Sequence, residues 1–127
     1  RRFYDCKNKK IDEISIWGDG SAKRDFLYID DCINAIIKLA ELKFCGAINV
    51  SSKKLTSIKE LTDNICHETN FQGQIKYDST KLSGQNQRIM DASKMDKIGW
   101  SPKINLSDGI KKTVSWFIEN RLSIREK

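Results

Sequence analysis

The sequence predicts a small α+β domain in which short strands alternate with amphipathic helices. Three observations carry that prediction. Runs of four or five residues with alternating apolar character recur between stretches whose apolar residues fall at helical spacing. Clusters of Gly, Asn and Asp separate them. The 127 residues suffice for one domain, while the strands are too few and too short for a self-sufficient doubly wound sheet.

Residues 1–8 read as the end of a helix anchored by Phe3 and Tyr4. A polar connection then leads to Ile14-Ser15-Ile16-Trp17, which alternates like a half-buried strand and stops at the turn Gly18-Asp19-Gly20-Ser21. Asp25–Ile29 is extended and apolar. Asp30 or Asp31 is the expected cap of a helix carrying Ile33, Ile36, Ile37 and Leu39, up to about Leu42 or Phe44. Gly46 ends that unit and Ala47-Ile48-Asn49-Val50 reads as a short strand.

Ser57 and Glu60 have capping-box spacing, with Thr56 a rival cap, and Ile58, Leu61, Ile65 and Cys66 form the buried stripe of a helix reaching about Thr69. Gln72-Gly73 breaks the chain, Gln74–Tyr77 alternates as a strand, and Asp78–Arg88 reads as a loop. A short helix over Ser93–Ile98 stops at Gly99. Beyond Pro102, Ser107 is the expected cap of a last helix with Ile110, Val114, Trp116, Phe117 and Ile118 on its inner face.

Composition excludes several classes. Three Trp, five Phe and three Tyr argue for a packed core rather than disorder. No stretch approaches the roughly 18 apolar residues of a membrane span, and no leader peptide is visible. The net charge of +6 is spread, with Lys and Arg interleaved with acids, so an anionic small ligand suits it at least as well as nucleic acid. Cys6, Cys32, Cys45 and Cys66 form no CxxC pair, and one His completes no zinc site; they read as reduced core cysteines of a cytoplasmic protein. The chain opens on Arg1 without Met, which suggests one piece, residues 1–127, of something longer.

Chemistry is sparse. There is no glycine-rich dinucleotide fingerprint, no P-loop and no metal-ligand cluster. His67 reads as a surface helix residue, and Asp30 and Asp31 as helix caps rather than an acid–base pair. What remains is Arg24 just after a Gly-rich turn, where a planar guanidinium suits phosphate oxygens.

The run W-G-D-G-S-A-K-R-D-F-L-Y-I-D-D, Trp17 to Asp31, strongly resembles the W-G-x-G-x-x-x-R-[DE]-F-x-[HY]-[VI]-D-D segment of extended short-chain dehydrogenases that act on nucleotide sugars, the NAD-dependent epimerase/dehydratase family. In order, Gly46–Ser51, Thr56–Leu61, Asp91–Pro102 and Ser107–Phe117 are similar to further family segments. Arg1-Arg2-Phe3-Tyr4 resembles the R-[RK]-F-[HY] segment of the family's GDP-L-fucose synthases. The resemblance implies the small C-terminal nucleotide-sugar-binding domain, with a Rossmann domain missing. Arg2, Arg24 and Arg88 would contact the diphosphate and Trp17 would line the pocket.

The same resemblance implies GDP-4-keto-6-deoxymannose as substrate, NADP(H) bound by the missing Rossmann domain, a homodimer of the complete enzyme, and no catalytic residue in these 127. One departure stands out. The family loop P-D-G-T-P-[RK]-[KR] reads Leu82-Ser83-Gly84-Gln85-Asn86-Gln87-Arg88 here, without both prolines, the Asp and one basic residue. Two other readings stay open: a domain of another nucleotide-sugar epimerase or dehydratase, and a stand-alone basic module binding RNA or protein.

Overall fold

The computed structural model describes residues 1–81 and 84–124. Leu82 and Ser83 of the departing loop, and residues 125–127 of the charged tail, lie outside the described residues. The order is α1 (Arg2–Asn8), β1 (Glu13–Trp17), β2 (Lys23–Asp25), α2 (Ile29–Glu41), β3 (Leu55–Ser57), α3 (Ile58–Thr69), β4 (Gln74–Asp78), β5 (Gln87–Arg88), α4 (Ser93–Lys97) and α5 (Leu106–Asn120). The α+β class and most element positions agree with the sequence reading.

The strands form two small sheets. β1 and β4 pair in parallel, Ile14 opposite Ile75 and Trp17 opposite Asp78. β2 lies between β3, antiparallel, and β5, parallel. Behind the first sheet Phe3, Ile14 and Phe71 make one core, with Ile16, Ile65, Cys66 and Ile75 packed against it. Phe3 meets Phe71 edge-on at 5.7 Å between ring centroids, and Tyr4 meets Phe117 likewise at 5.6 Å, tying α1 to α5. A second, smaller core joins Ala35 of α2, Met95 of α4 and Trp100, flanked by Leu39, Ile48 and Val50.

Local chemistry explains the ends of α3. The Ser57 hydroxyl accepts the Glu60 N–H at 3.0 Å, so Ser57 rather than Thr56 caps the helix. Asn70 closes it in the left-handed conformation.

Several expectations are corrected. Neither Asp30 nor Asp31 caps α2: Tyr28 takes that position without a side-chain bond, and both aspartates sit in the first turn, where negative charge suits the helix dipole. Asp31 is buried and accepts the backbone N–H groups of Lys103 (3.1 Å) and Ile104 (2.9 Å), pinning the approach to α5. That pinning starts α5 early, so Asn105 and not Ser107 is its cap, accepting the Asp108 N–H at 2.9 Å. Trp116 and Ile118 do not join the inner face of α5; both are exposed, whereas Val114 and Phe117 are half-buried. Ala47–Val50 carries no strand ladder among the described residues. The stretch after Asp25 is irregular, with the strand displaced to Lys23–Asp25. β3 and β5 were not anticipated, because two- and three-residue strands have no periodicity to read.

Candidate functional site

β2 is the scaffold of the site. Its Arg24 faces Thr56 of β3 on one side and Arg88 of β5 on the other. Laterally paired residues leave a pleated sheet on the same face, so the two arginine side chains start from the same side of the sheet. Neither forms an ion pair among the described residues; the carboxylate partners there belong to other cations, as in Lys76–Glu13 at 2.6 Å and Lys53–Asp96.

Arg24 also holds the loop that carries Arg88. Its Nη1 donates to the carbonyl oxygens of Lys23 at 2.7 Å and Gln85 at 2.8 Å. The Lys23 N–H donates to the Asn86 carbonyl at 2.7 Å. Gly84 has a φ of +70°, and a Cβ there would stand 3.6 Å from Arg24 Nη2, so the backbone passes close beside the guanidinium.

The turn before β2 is fixed from three sides. Gly18 N–H donates to Asp78 O (2.9 Å), while Gly20 O and Ala22 O accept the first amides of α3, from Lys59 (3.0 Å) and Ile58 (2.9 Å). Gly20 has a φ of +79° and lies so close to Tyr77 that a Cβ would sit 2.6 Å from the ring. Burial there pushes the Tyr77 phenol up. The hydroxyl and backbone N–H of Ser21 hold the Asp19 carboxyl below its ordinary range.

On the opposite face of β2 the Asp25 carboxylate accepts from both hydroxyls of Ser51 and Ser52 and from the Ser52 N–H. Ser51 is fully buried. Sequence reading missed this anchor, whose partners lie 26 and 27 residues away. The polar pair Ser51-Ser52 just before β3 was the only signal available.

The remaining two expected residues sit on the first sheet. Trp17 ends β1 and is 71% exposed. Arg2, on α1, donates from Nη2 to the Ser15 carbonyl at 2.9 Å. The structure therefore brings Arg24 and Arg88 together on one ladder and Arg2 and Trp17 to the end of β1. The Gly18–Ala22 turn connects the two groups.

This arrangement can grip an oxyanion. His67 is exposed beside Glu68, and no group of three or more His, Cys, Asp or Glu among the described residues could hold a metal. Nor do the residues fit a nicotinamide dinucleotide. The turn after β1 runs into β2 rather than a helix, and α3 begins directly after β3 with its first amides taken by the carbonyls of Ala22 and Gly20 and by the Ser57 hydroxyl, so among the described residues no glycine-rich strand–helix turn presents a helix N-terminus to a diphosphate.

Residues 1–50 match the NAD dependent epimerase/dehydratase family. A putative GDP-L-fucose synthase 2 of Arabidopsis thaliana is 38% identical over 122 residues, 94% of this chain and 37% of that protein. The chain is thus similar to the NAD dependent epimerase/dehydratase family over residues 1–50 and to GDP-L-fucose synthases over most of its length. Among solved structures, the GDP-mannoheptose C4 reductase MlghC from Campylobacter jejuni, with NADP bound, superimposes with a TM-score of 0.78 at 26% identity, over 93% of this chain and 42% of that one. A GDP-L-fucose synthetase from Naegleria fowleri, bound to NADP, reaches 0.87 at 22% identity, over 98% and 40%, a likeness of fold alone. The chain thus spans well under half the length of the relatives it matches.

Proposed function

We propose that these residues are the substrate-binding part of a GDP-L-fucose synthase-like 3,5-epimerase-4-reductase. The diphosphate of a GDP-sugar, GDP-4-keto-6-deoxymannose, rests on Arg24 and Arg88, with Arg2 and Trp17 beside the nucleotide and sugar. Catalytic groups and NADP(H) reside on a Rossmann domain outside these 127 residues, so this portion alone binds and does not turn over. The complete enzyme is a cytoplasmic homodimer.

The observation that carries this reading is the pair of arginines in register on adjacent strands, Arg24 opposite Arg88, neither of them in an ion pair among the described residues. Two like charges placed side by side repel each other, and a bound dianion removes that cost. Each charge-assisted hydrogen bond contributes about 1.5–3 kcal/mol. The missing prolines of the 82–88 loop favour a second, broader reading, in which the sugar is another keto-deoxyhexose and the diphosphate grip is unchanged.

Titration calorimetry with GDP tests the proposal. Saturable binding that Arg24→Ala weakens about 10-fold or more is expected. Binding to RNA with a steep salt dependence, and no response to GDP, would instead identify a basic nucleic-acid module.

A further inference from the structure

The strand that carries Arg24 has little of its own to hold it in place. β2 is three residues long, pairs with strands of three and two residues, and reads Lys23-Arg24-Asp25, without one apolar side chain. A buried apolar face is what ordinarily fixes a strand's register, and strands polar on both faces slip easily. A slip of one residue turns every side chain to the other face. Here it would withdraw Arg24 from the side it shares with Arg88 and present Lys23 or Asp25 instead. A specific polar contact must take over the part that hydrophobic burial plays elsewhere.

Asp25 makes that contact. It ends β2 opposite Leu55, the first residue of β3. Its carboxylate accepts from the hydroxyls of Ser51 and Ser52, and from the Ser52 N–H at 2.9 Å. The two serines are fixed in turn. The Lys53 N–H donates to the Ser51 hydroxyl at 2.9 Å, the Lys54 N–H to the Ser52 hydroxyl at 3.2 Å, and Lys53 adopts a φ of +60°. Ser51 is fully buried, so water does not compete for its bond. This turn runs directly into Leu55, which places the anchor one ladder step from the Arg24–Thr56 pair. The anchor also disposes of a charge. Both carboxylate oxygens take donors from Ser51 and Ser52, while Arg24 Nη1 is spent on the carbonyls of Lys23 and Gln85. The acid next to Arg24 therefore does not neutralise it.

We propose that Asp25 is a positioning residue of the anion site: anchored on Ser51 and Ser52, it locks the register of β2 so that Arg24 stays in line with Arg88, and it keeps its own negative charge off the face that meets the ligand. This rests on the reading of Arg24 and Arg88 as a diphosphate grip.

Two measurements on the full-length protein test the proposal, each at a temperature where circular dichroism shows the variants folded. In hydrogen exchange, Asp25→Ala should speed the amides of residues 23–25 and 55–57 about 10-fold or more, while those of α2 stay as they are. In titration calorimetry, Asp25→Ala should weaken GDP binding about 10-fold, Ser52→Ala should weaken it less, and Asp25→Asn, which keeps an oxygen for the Ser52 N–H, should recover most of the loss. In an Arg24→Ala background, Asp25→Ala should change GDP affinity less than about 2-fold, because there is no longer an arginine to place. Unchanged exchange at β2 and β3 would overturn the register lock. So would a loss of GDP affinity equal in both backgrounds, the mark of general damage to the fold. GDP binding indifferent to Arg24→Ala, beside faster exchange in Asp25→Ala, sinks the diphosphate reading and leaves the lock standing.

Discussion

Replacing Arg88 with alanine should stabilise the free protein while weakening its ligand. Arg88 stands opposite Arg24 across one ladder step, a strand spacing of about 4.8 Å, so side chains leaving the same face can bring their two charges to roughly 6 Å. Two unit charges at that distance repel by about 0.7 kcal/mol at the dielectric of water. Arg88 is exposed, so its removal deletes little packing, and Arg24 keeps its bonds to Lys23 O and Gln85 O. The melting temperature of Arg88→Ala should therefore rise by about 1–3 °C at low salt. In about 1 M salt, where the screening length falls to about 3 Å, that gain should vanish. GDP affinity, read by calorimetry on the same samples, should fall about 10- to 150-fold. The opposite signs are the diagnostic. A variant with unchanged melting temperature and unchanged GDP affinity would show that the two side chains do not share a field or a ligand, and the reasoning would be refuted.

Two further substitutions probe the frame. Asp31→Ala leaves the amides of Lys103 and Ile104 without their acceptor and should cost about 1–3 kcal/mol in urea unfolding, with Asp31→Asn recovering part of it; a loss under about 0.5 kcal/mol would show that the carboxylate does not hold the approach to α5. Asp91 is held below the ordinary carboxylate range, first by the backbone N–H and then by the hydroxyl of Ser93, so its contribution is present above the unfolded-chain value and fades as pH falls through the lower folded one. Stability measured from about pH 5 to about pH 3 should decline less steeply in Asp91→Asn than in the parent, and equal slopes would contradict the assignment.

What could be read in advance was local. The Ser57 cap, the two-glycine turn at Gly18–Gly20 and the helix end at about Thr69 before Gln72-Gly73 each rest on residues within a few positions of one another, and the structure reproduces them. What could not be read depends on partners far along the chain. Asp31 resembles a helix cap until Lys103 and Ile104 arrive to compete for it. β5 is two residues long, so nothing in its own sequence marks it; only its alignment with β2 makes it a strand. The isoleucines of α2 announce a helix by their spacing, but periodicity reports that a stripe exists and not whether these residues cover it, and Ile33, Ile36 and Ile37 are exposed.

The same division runs through the candidate site. Arg24 was legible from the turn that precedes it, and Arg88 only from the family loop it resembles. Their adjacency is a property of the sheet. The latch from Arg24 to Gln85 and the anchor of Asp25 on Ser51 and Ser52 have no sequence signature, since a carbonyl acceptor is indifferent to residue type and a serine pair is common in any polar stretch.

A crystal structure of the protein with GDP is the most direct measurement. The account predicts that oxygens of the diphosphate lie within about 3 Å of guanidinium nitrogens from both Arg24 and Arg88. A well-occupied GDP bound elsewhere, or one whose diphosphate touches neither arginine, would contradict it.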